Sequence, residues 1–164
     1  MSEVLLLTSY LEGESRFVSS VYETVNIEIC DDRSYWAGWS EWWGTDRIIV
    51  AVEHDMEVSD ELVDQIVSCK SPLATFAYQL YWPSVHGSSH YAQRTGLLPP
   101  AGGDWVAEGA EWCDYTGIGF CKIAPECRLF PLEESHWSHL DAAVSRAVVG
   151  RWRILWPEVT HDHT

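Results

Sequence analysis

Apolar positions along the chain fall into short runs of changing period, and each run predicts an element. Val4–Thr8 has the length of a buried strand. Phe17, Val18, Val21, Tyr22 and Val25 recur at i, i+1, i+4, i+5 and i+8, the spacing of one helix face, and predict a helix. Asn26–Cys30 alternates Ile27 and Ile29 with polar neighbours and predicts a second strand, which runs into the turn-type cluster Asp31-Asp32-Arg33-Ser34. Tyr35–Asp46 carries Trp36, Trp39, Trp42 and Trp43 and predicts a short helix. Ile48–Val52 is wholly apolar and rich in β-branched residues, as in a strand covered on both faces. Ser59 then caps a helix with Asp60 and Glu61 in its first turn and Leu62, Val63, Ile66 and Val67 inward, and Ser71-Pro72 stops it.

The second half is less regular. Leu73–Trp82 predicts a strand, and Pro83–Gly103, with its prolines and glycines, a long loop of the kind that carries function. Gly117–Ala124 predicts a strand and Ser135–Val149 a helix, with Trp137, Leu140, Val144, Ala147 and Val148 along one side. Trp152–Trp156 predicts the last strand, followed by Pro157 and the tail His161-Asp162-His163. Strands alternating with helices, with acidic clusters at strand ends, predict an α/β open sheet with helices on both faces. Ligands of such sheets bind outside the carboxyl ends of the strands. The 164 residues suffice for a single domain over 1–164.

Composition narrows the partners. Ten basic residues against 25 acidic give a net charge of −15. Such a field disfavours polyanions, whose binding rests on lysine and arginine releasing counterions, although Arg146, Arg151 and Arg153 leave room for a local basic lip. No run approaches the ~20 apolar residues of a membrane span, and Met1-Ser2-Glu3 lacks a signal peptide's basic start. The five scattered cysteines suit reduced thiols better than a disulfide framework, so a cytoplasmic protein is expected. Ten tryptophans exceed what a core needs and leave two uses open, a bulky core or a groove-lining surface.

Four constellations could carry chemistry. Asp31 and Asp32 repel one another at a strand end, where they would either hold a ligand's hydroxyl or N–H groups or begin a turn. Glu53 and Asp55, two apart after a buried strand, would share a side and could hold a divalent cation through oxygen ligands, or merely precede the next helix as a solvated loop. Asp141 falls along an apolar stripe, where burial would raise its pKa toward that of a general base, but Ser138-His139-Leu140-Asp141 also fits a capping box. His161 and His163 are metal-ligand types in a terminal tail, where solvated fraying is the alternative. Cys113, Cys121 and Cys127 with His136 or His139 could make a zinc set, but no pair has the short C-x₂₋₄-C spacing. Nucleophile-elbow, P-loop and dinucleotide fingerprints are absent from the sequence.

Taken in order, these segments resemble the GT-A family of nucleotide-sugar glycosyltransferases, and the resemblance spans nearly the whole chain. Asn26–Ser34 is similar to that family's second strand with its D-D-x-S ending, and Glu53-His54-Asp55 to its D-x-D motif. Thr116-Gly117-Ile118-Gly119 is similar to its acceptor-side strand, Leu140-Asp141 to its x-E-D motif, and His161 or His163 to its C-terminal metal histidine. The resemblance implies a small Rossmann-like GT-A domain. It would take a nucleoside-diphosphate sugar such as a UDP-sugar, with Asp31, Asp32 and Glu53 on the nucleotide and Mn2+ or Mg2+ on Asp55 with His161 or His163. Asp141 would be the base for an acceptor hydroxyl held near Trp112, Gly117 and Trp137. A glycan, a small molecule or a modified DNA base would serve as acceptor, since phage-type transferases acting on hydroxymethylated bases look similar in size; the site would then be a host's cytoplasm. The chain departs from the pattern in three ways: a strand–helix unit between Asp32 and Glu53 is missing, Glu53 replaces Asp, and Leu140 replaces Glu. A non-catalytic binding module with a tryptophan-rich face is the rival expectation.

Overall fold

The computed structural model describes residues 3–14, 16–77, 79–80, 94–95, 111–114, 116–136 and 139–156. The strands are β1 (Val4–Leu11), β2 (Glu23–Ile29), β3 (Ile48–Val52), β4 (Leu73–Phe76), β5 (Gln79–Leu80), β6 (Arg94–Thr95), β7 (Trp112–Cys113), β8 (Phe120–Ile123) and β9 (Trp152–Leu155). The helices are α1 (Ser34–Trp43), α2 (Asp60–Ser68) and α3 (Leu140–Ala147), with a 3-10 turn at Pro125–Cys127.

Seven strands form one mixed sheet in the order β2-β1-β3-β8-β4-β9-β7, and β5 pairs with β6 separately. β2, β1 and β3 run parallel, β8 lies antiparallel between β3 and β4, and β9 runs parallel to β4 with β7 antiparallel at the edge. Helices cover both faces, as the alternating pattern predicts. Trp39 and Trp43 of α1 join Leu140 and Val144 of α3 on one face, while Val63 and Ile66 of α2 pack on the other. Among the described residues no helix is long and apolar enough to cross a membrane.

Local chemistry explains the boundaries. Ser59 Oγ accepts the Leu62 N–H at 3.2 Å and starts α2 as expected. The helix ends against Lys122, a buried lysine of β8 whose ammonium donates to the Cys69 carbonyl at 2.5 Å, placing a cation at the negative end of the macrodipole. Burial lowers that lysine's pKa.

The helix expected over Phe17–Val25 does not form. Ser19 Oγ accepts the N–H groups of Val21 and Tyr22, closing a turn, and Val18 and Val21 are solvent-exposed. Ser19, Ser20 and Tyr22 bond instead to Asp60 and Asp64 of α2, a tertiary demand that overrides local spacing. That bond to Asp64, with burial, pushes the Tyr22 phenol up to about 12. β1 runs on past Thr8, with Ser9 and Tyr10 buried, and β2 begins earlier than expected, at Glu23, where it pairs with β1. The strand expected over Leu73–Trp82 breaks after Phe76 and resumes as β5. The loop expected over Pro83–Gly103 lies outside the described residues except at β6. α3 is shorter than Ser135–Val149, since 135 and 136 are not helical and Trp137 and Ser138 fall outside the described residues. Its N-cap is His139 with no side-chain cap bond, and Ser138, on which the expected capping box rests, lies outside the described residues.

α1 approaches β2 closely at Gly38. A Cβ there would stand 2.5 Å from Ile27 Cγ2 and 2.8 Å from Cγ1, atoms fixed near the strand backbone. Alanine normally favours a helix over glycine by about 1 kcal/mol, whereas overpacking costs about 1–3 kcal/mol. Gly38→Ala is therefore expected to destabilise by about 1 kcal/mol or more, and Ile27→Ala in the same chain to abolish that effect. Urea denaturation of the two single variants and the double variant measures this; an additive result would exclude the contact.

Candidate active site

β1, β2, β3, β4 and β9 point one way, so their carboxyl ends share an edge; β8, running the other way, enters from it. The segment Thr116–Gly119 therefore lies beside the residues that follow β3, and the Glu53 N–H donates to the Gly119 carbonyl at 2.9 Å. α3 leads down to the start of β9, which leaves its first turn, with Asp141, at the same edge.

After β2 the two aspartates divide their roles. Asp31 Oδ1 accepts the N–H groups of Arg33 and Ser34 at 2.9 and 2.8 Å, while Ser34 Oγ accepts those of Cys30 and Asp31. This reciprocal turn starts α1 and commits Asp31 to the backbone. Asp32 keeps an exposed carboxylate, 3.2 Å from His136 Nε2, and the neighbouring Arg33 pairs with Glu134. An open depression of about 360 Å³ lies against Asp31, Asp32 and Arg33.

After β3 the chain turns at once, with the Met56 N–H donating to the Glu53 carbonyl at 3.1 Å. Glu53 and Asp55 are thus turn residues rather than alternate residues of one strand, yet their charges still act on one another. The half-buried Glu53 lies beside the buried phenol of Tyr35. Burial above all, then Asp55 and Asp141, push the Glu53 carboxyl up to about 8. Burial and Glu53 in turn hold the Tyr35 phenol well above its ordinary value, and both raise the Cys121 thiol behind it. Ser9, a buried hydroxyl at the end of β1, accepts the His54 N–H at 3.1 Å and lies 3.4 Å from His54 Nδ1. Burial also raises Asp141, opposed by the Ala142 N–H at 2.7 Å and by His139 and Arg146.

Asp55 and Asp141 therefore both act on Glu53, and Asp32 joins the same edge through His136, whose ring lies 6.2 Å from that of His139. Gly117 is buried beside them.

Family models, curated proteins and solved structures yield no match to this chain.

Trp112 stands apart from the group. It lies on β7 at the sheet edge, with β8, β4 and β9 between it and β3, or roughly 19 Å at the usual strand spacing. It is 41% exposed, with the Arg151 and Arg153 guanidiniums 5.8 and 5.4 Å from its ring. Trp137, His161 and His163 lie outside the described residues. Among the described residues no three metal-capable side chains converge, so the zinc alternative finds no set there. Tyr35 and Ser9 were not expected at this edge. Ser9 had a legible signal, a hydroxyl continuing an apolar strand run; Tyr35, on a helix, had none.

Most of the described tryptophans serve the core. Trp39, Trp43 and Trp152 are buried, and Trp36 and Trp42 pack against the same cluster. Trp36 and Trp43 donate their indole N–H groups to the carbonyls of Leu132 and Phe130.

Proposed function

We propose that this edge is the active site of a glycosyltransferase that moves a sugar from a nucleoside-diphosphate donor to an acceptor hydroxyl. The observation that carries the reading is that Glu53 lies in the field of both Asp55 and Asp141, carboxylates from two separate elements at the carboxyl edge. Folding alone gives little reason to gather acids there, since each repels the next. The sequence order of Asp32, Asp55 and Asp141, resembling the GT-A layout, supports the same reading. The open depression beside Asp32 would receive the nucleotide, and Asp141, whose burial favours its protonated form and hence strengthens it as a base, would take the acceptor's proton. Three of the seven described tryptophans are buried and two more pack against the core, which draws support away from a module with a tryptophan-rich binding face.

The resemblance also implies a divalent cation. The described residues supply a partial donor set only, Asp55 in the field of Glu53, whose carboxylate oxygens suit a hard cation in kind. Asp55 would hold it, with the diphosphate and with His161 or His163. When bound, Mn2+ or Mg2+ supplies Lewis-acid stabilisation of the departing diphosphate.

Thermal shift and donor hydrolysis test this. A UDP-sugar at about a hundred times its Kd adds about 2.7 kcal/mol of stability, or several degrees. Asp55→Ala is expected to abolish the part of the shift that needs Mn2+. An unchanged shift in that variant would remove the metal from Asp55, and a panel of donors releasing no diphosphate from the wild type would remove the transferase reading.

A further inference from the structure

Asp141 and Glu53 sit on different elements, and a junction of buried hydroxyls lies between the segments that carry them. Ser145 follows Asp141 by four residues and occupies the next turn of the same helix face. Its Oγ accepts the Thr116 N–H at 3.4 Å and donates to the Thr116 carbonyl at 3.3 Å, closing a two-bond ring between α3 and the segment before β8. Thr116 Oγ1 donates to the Gly117 carbonyl at 2.9 Å and lies 3.2 Å from Thr75 Oγ1 of β4. Gly119, three residues on, accepts the Glu53 N–H. Thr75 and Thr116 are fully buried and Ser145 nearly so. Hydrophobic packing alone would be served by valine or alanine at these places, without the cost of burying polar groups. Three hydroxyls satisfied by one another and by main chain instead impose a fixed geometry, as fully connected polar networks do.

We propose that Thr116 and Ser145 are positioning residues: they hold α3, and Asp141 with it, in one register against the Gly117–Gly119 segment and Glu53. The effect on turnover rests on the transferase reading; the mechanical effect does not. Ser145→Ala removes both bonds between α3 and the Thr116 main chain, Thr116→Val leaves those in place and removes only the side-chain bonds to the Gly117 carbonyl and Thr75 Oγ1, and Thr116→Ser keeps the hydroxyl. Amide hydrogen exchange is the first readout. Exchange at the Ala142 amide is expected to quicken about tenfold in Ser145→Ala, and at the Glu53 amide about tenfold in both Ser145→Ala and Thr116→Val, with Val50 in the middle of β3 unchanged and Thr116→Ser like wild type. Uniform quickening across the sheet, or none, would overturn the proposal by leaving only a general stability role. Should either of the two hydroxyl-removing variants fail to fold, the other supplies the measurement. Donor hydrolysis is the second readout: kcat is expected to fall about tenfold with KM within twofold, and Thr116→Ser to restore it. Unchanged kcat in a wild-type-active series overturns the proposal. A wild type that turns over no donor instead defeats the transferase reading, and the exchange pattern then decides the positioning claim by itself.

Discussion

Arg128→Met is expected to cost about 3–4 kcal/mol of stability and to lower Tm by roughly 10 °C. Arg128 follows the 3-10 turn after β8, and its half-buried guanidinium bonds only to main chain. It donates to the carbonyls of Trp43, Ile123, Thr45 and Arg47 at 2.8, 2.6, 2.5 and 2.7 Å. The first is the last residue of α1, the next two flanking positions lie in the turn to β3, and Ile123 ends β8. One planar fork thus ties the C-terminus of a helix to the end of a central strand. Burial lowers its pKa to about 10, which still leaves it charged at neutral pH. Methionine fills much of the volume but leaves four carbonyls without that donor. Arg128→Lys is expected to recover less than half of the loss, because three donors on one nitrogen cannot reach four divergent carbonyls. Guanidinium denaturation of both variants measures this, and a loss below about 1 kcal/mol for methionine would show that water replaces the fork.

The second large effect is a pH dependence set by Glu53. Its ordinary carboxyl value of 4.5 is raised to about 8 in the folded chain. Between those values the folded protein keeps a proton that the unfolded chain has released, so stability falls as pH rises through that window. The full shift would correspond to more than 4 kcal/mol, but Glu53 keeps some exposed surface, and screening reduces the effect to about 2–3 kcal/mol. Glu53→Gln carries no titrating proton. It is expected to match wild type near pH 4.5 and to exceed it by about 2–3 kcal/mol at pH 8.5, measured with chelator present. Asp141, raised in the same direction, leaves a smaller slope of the same sign in the variant. Equal slopes in the two proteins would mean that Glu53 is solvated and ionised throughout.

Much of this fold was legible where local chemistry and packing agree. Ser59 with Asp60 and Glu61 announces α2, and Ile48–Val52 can only be a strand covered on both faces. The sequence reading failed at Phe17–Val25, where helical spacing is genuine but Ser19, Ser20 and Tyr22 are claimed by Asp60 and Asp64, residues some 40 positions away. β7 is two residues long and exists only through its pairing with β9, so no periodicity could reveal it. Of the candidate site, the acids were readable as strand-end clusters, but their division of labour was not. Asp31 and Asp32 look alike in sequence; only the turn shows that Asp31 closes the loop before α1 while Asp32 faces His136. Tyr35 was hidden for the same reason, since nothing in its own helix reports that Glu53 lies beside it.

The position of β8 has a consequence for how this chain is made. The strand at the middle of the sheet begins at residue 120, and both of its neighbours, β3 and β4, emerge from the ribosome well before it. Until residue 123 is available β2, β1 and β3 can form one three-stranded piece, while β4 has no partner, since β9 is made later still. Vectorial synthesis thus leaves apolar strand edges unpaired until β8 is made, and the sheet is completed only by long-range closure.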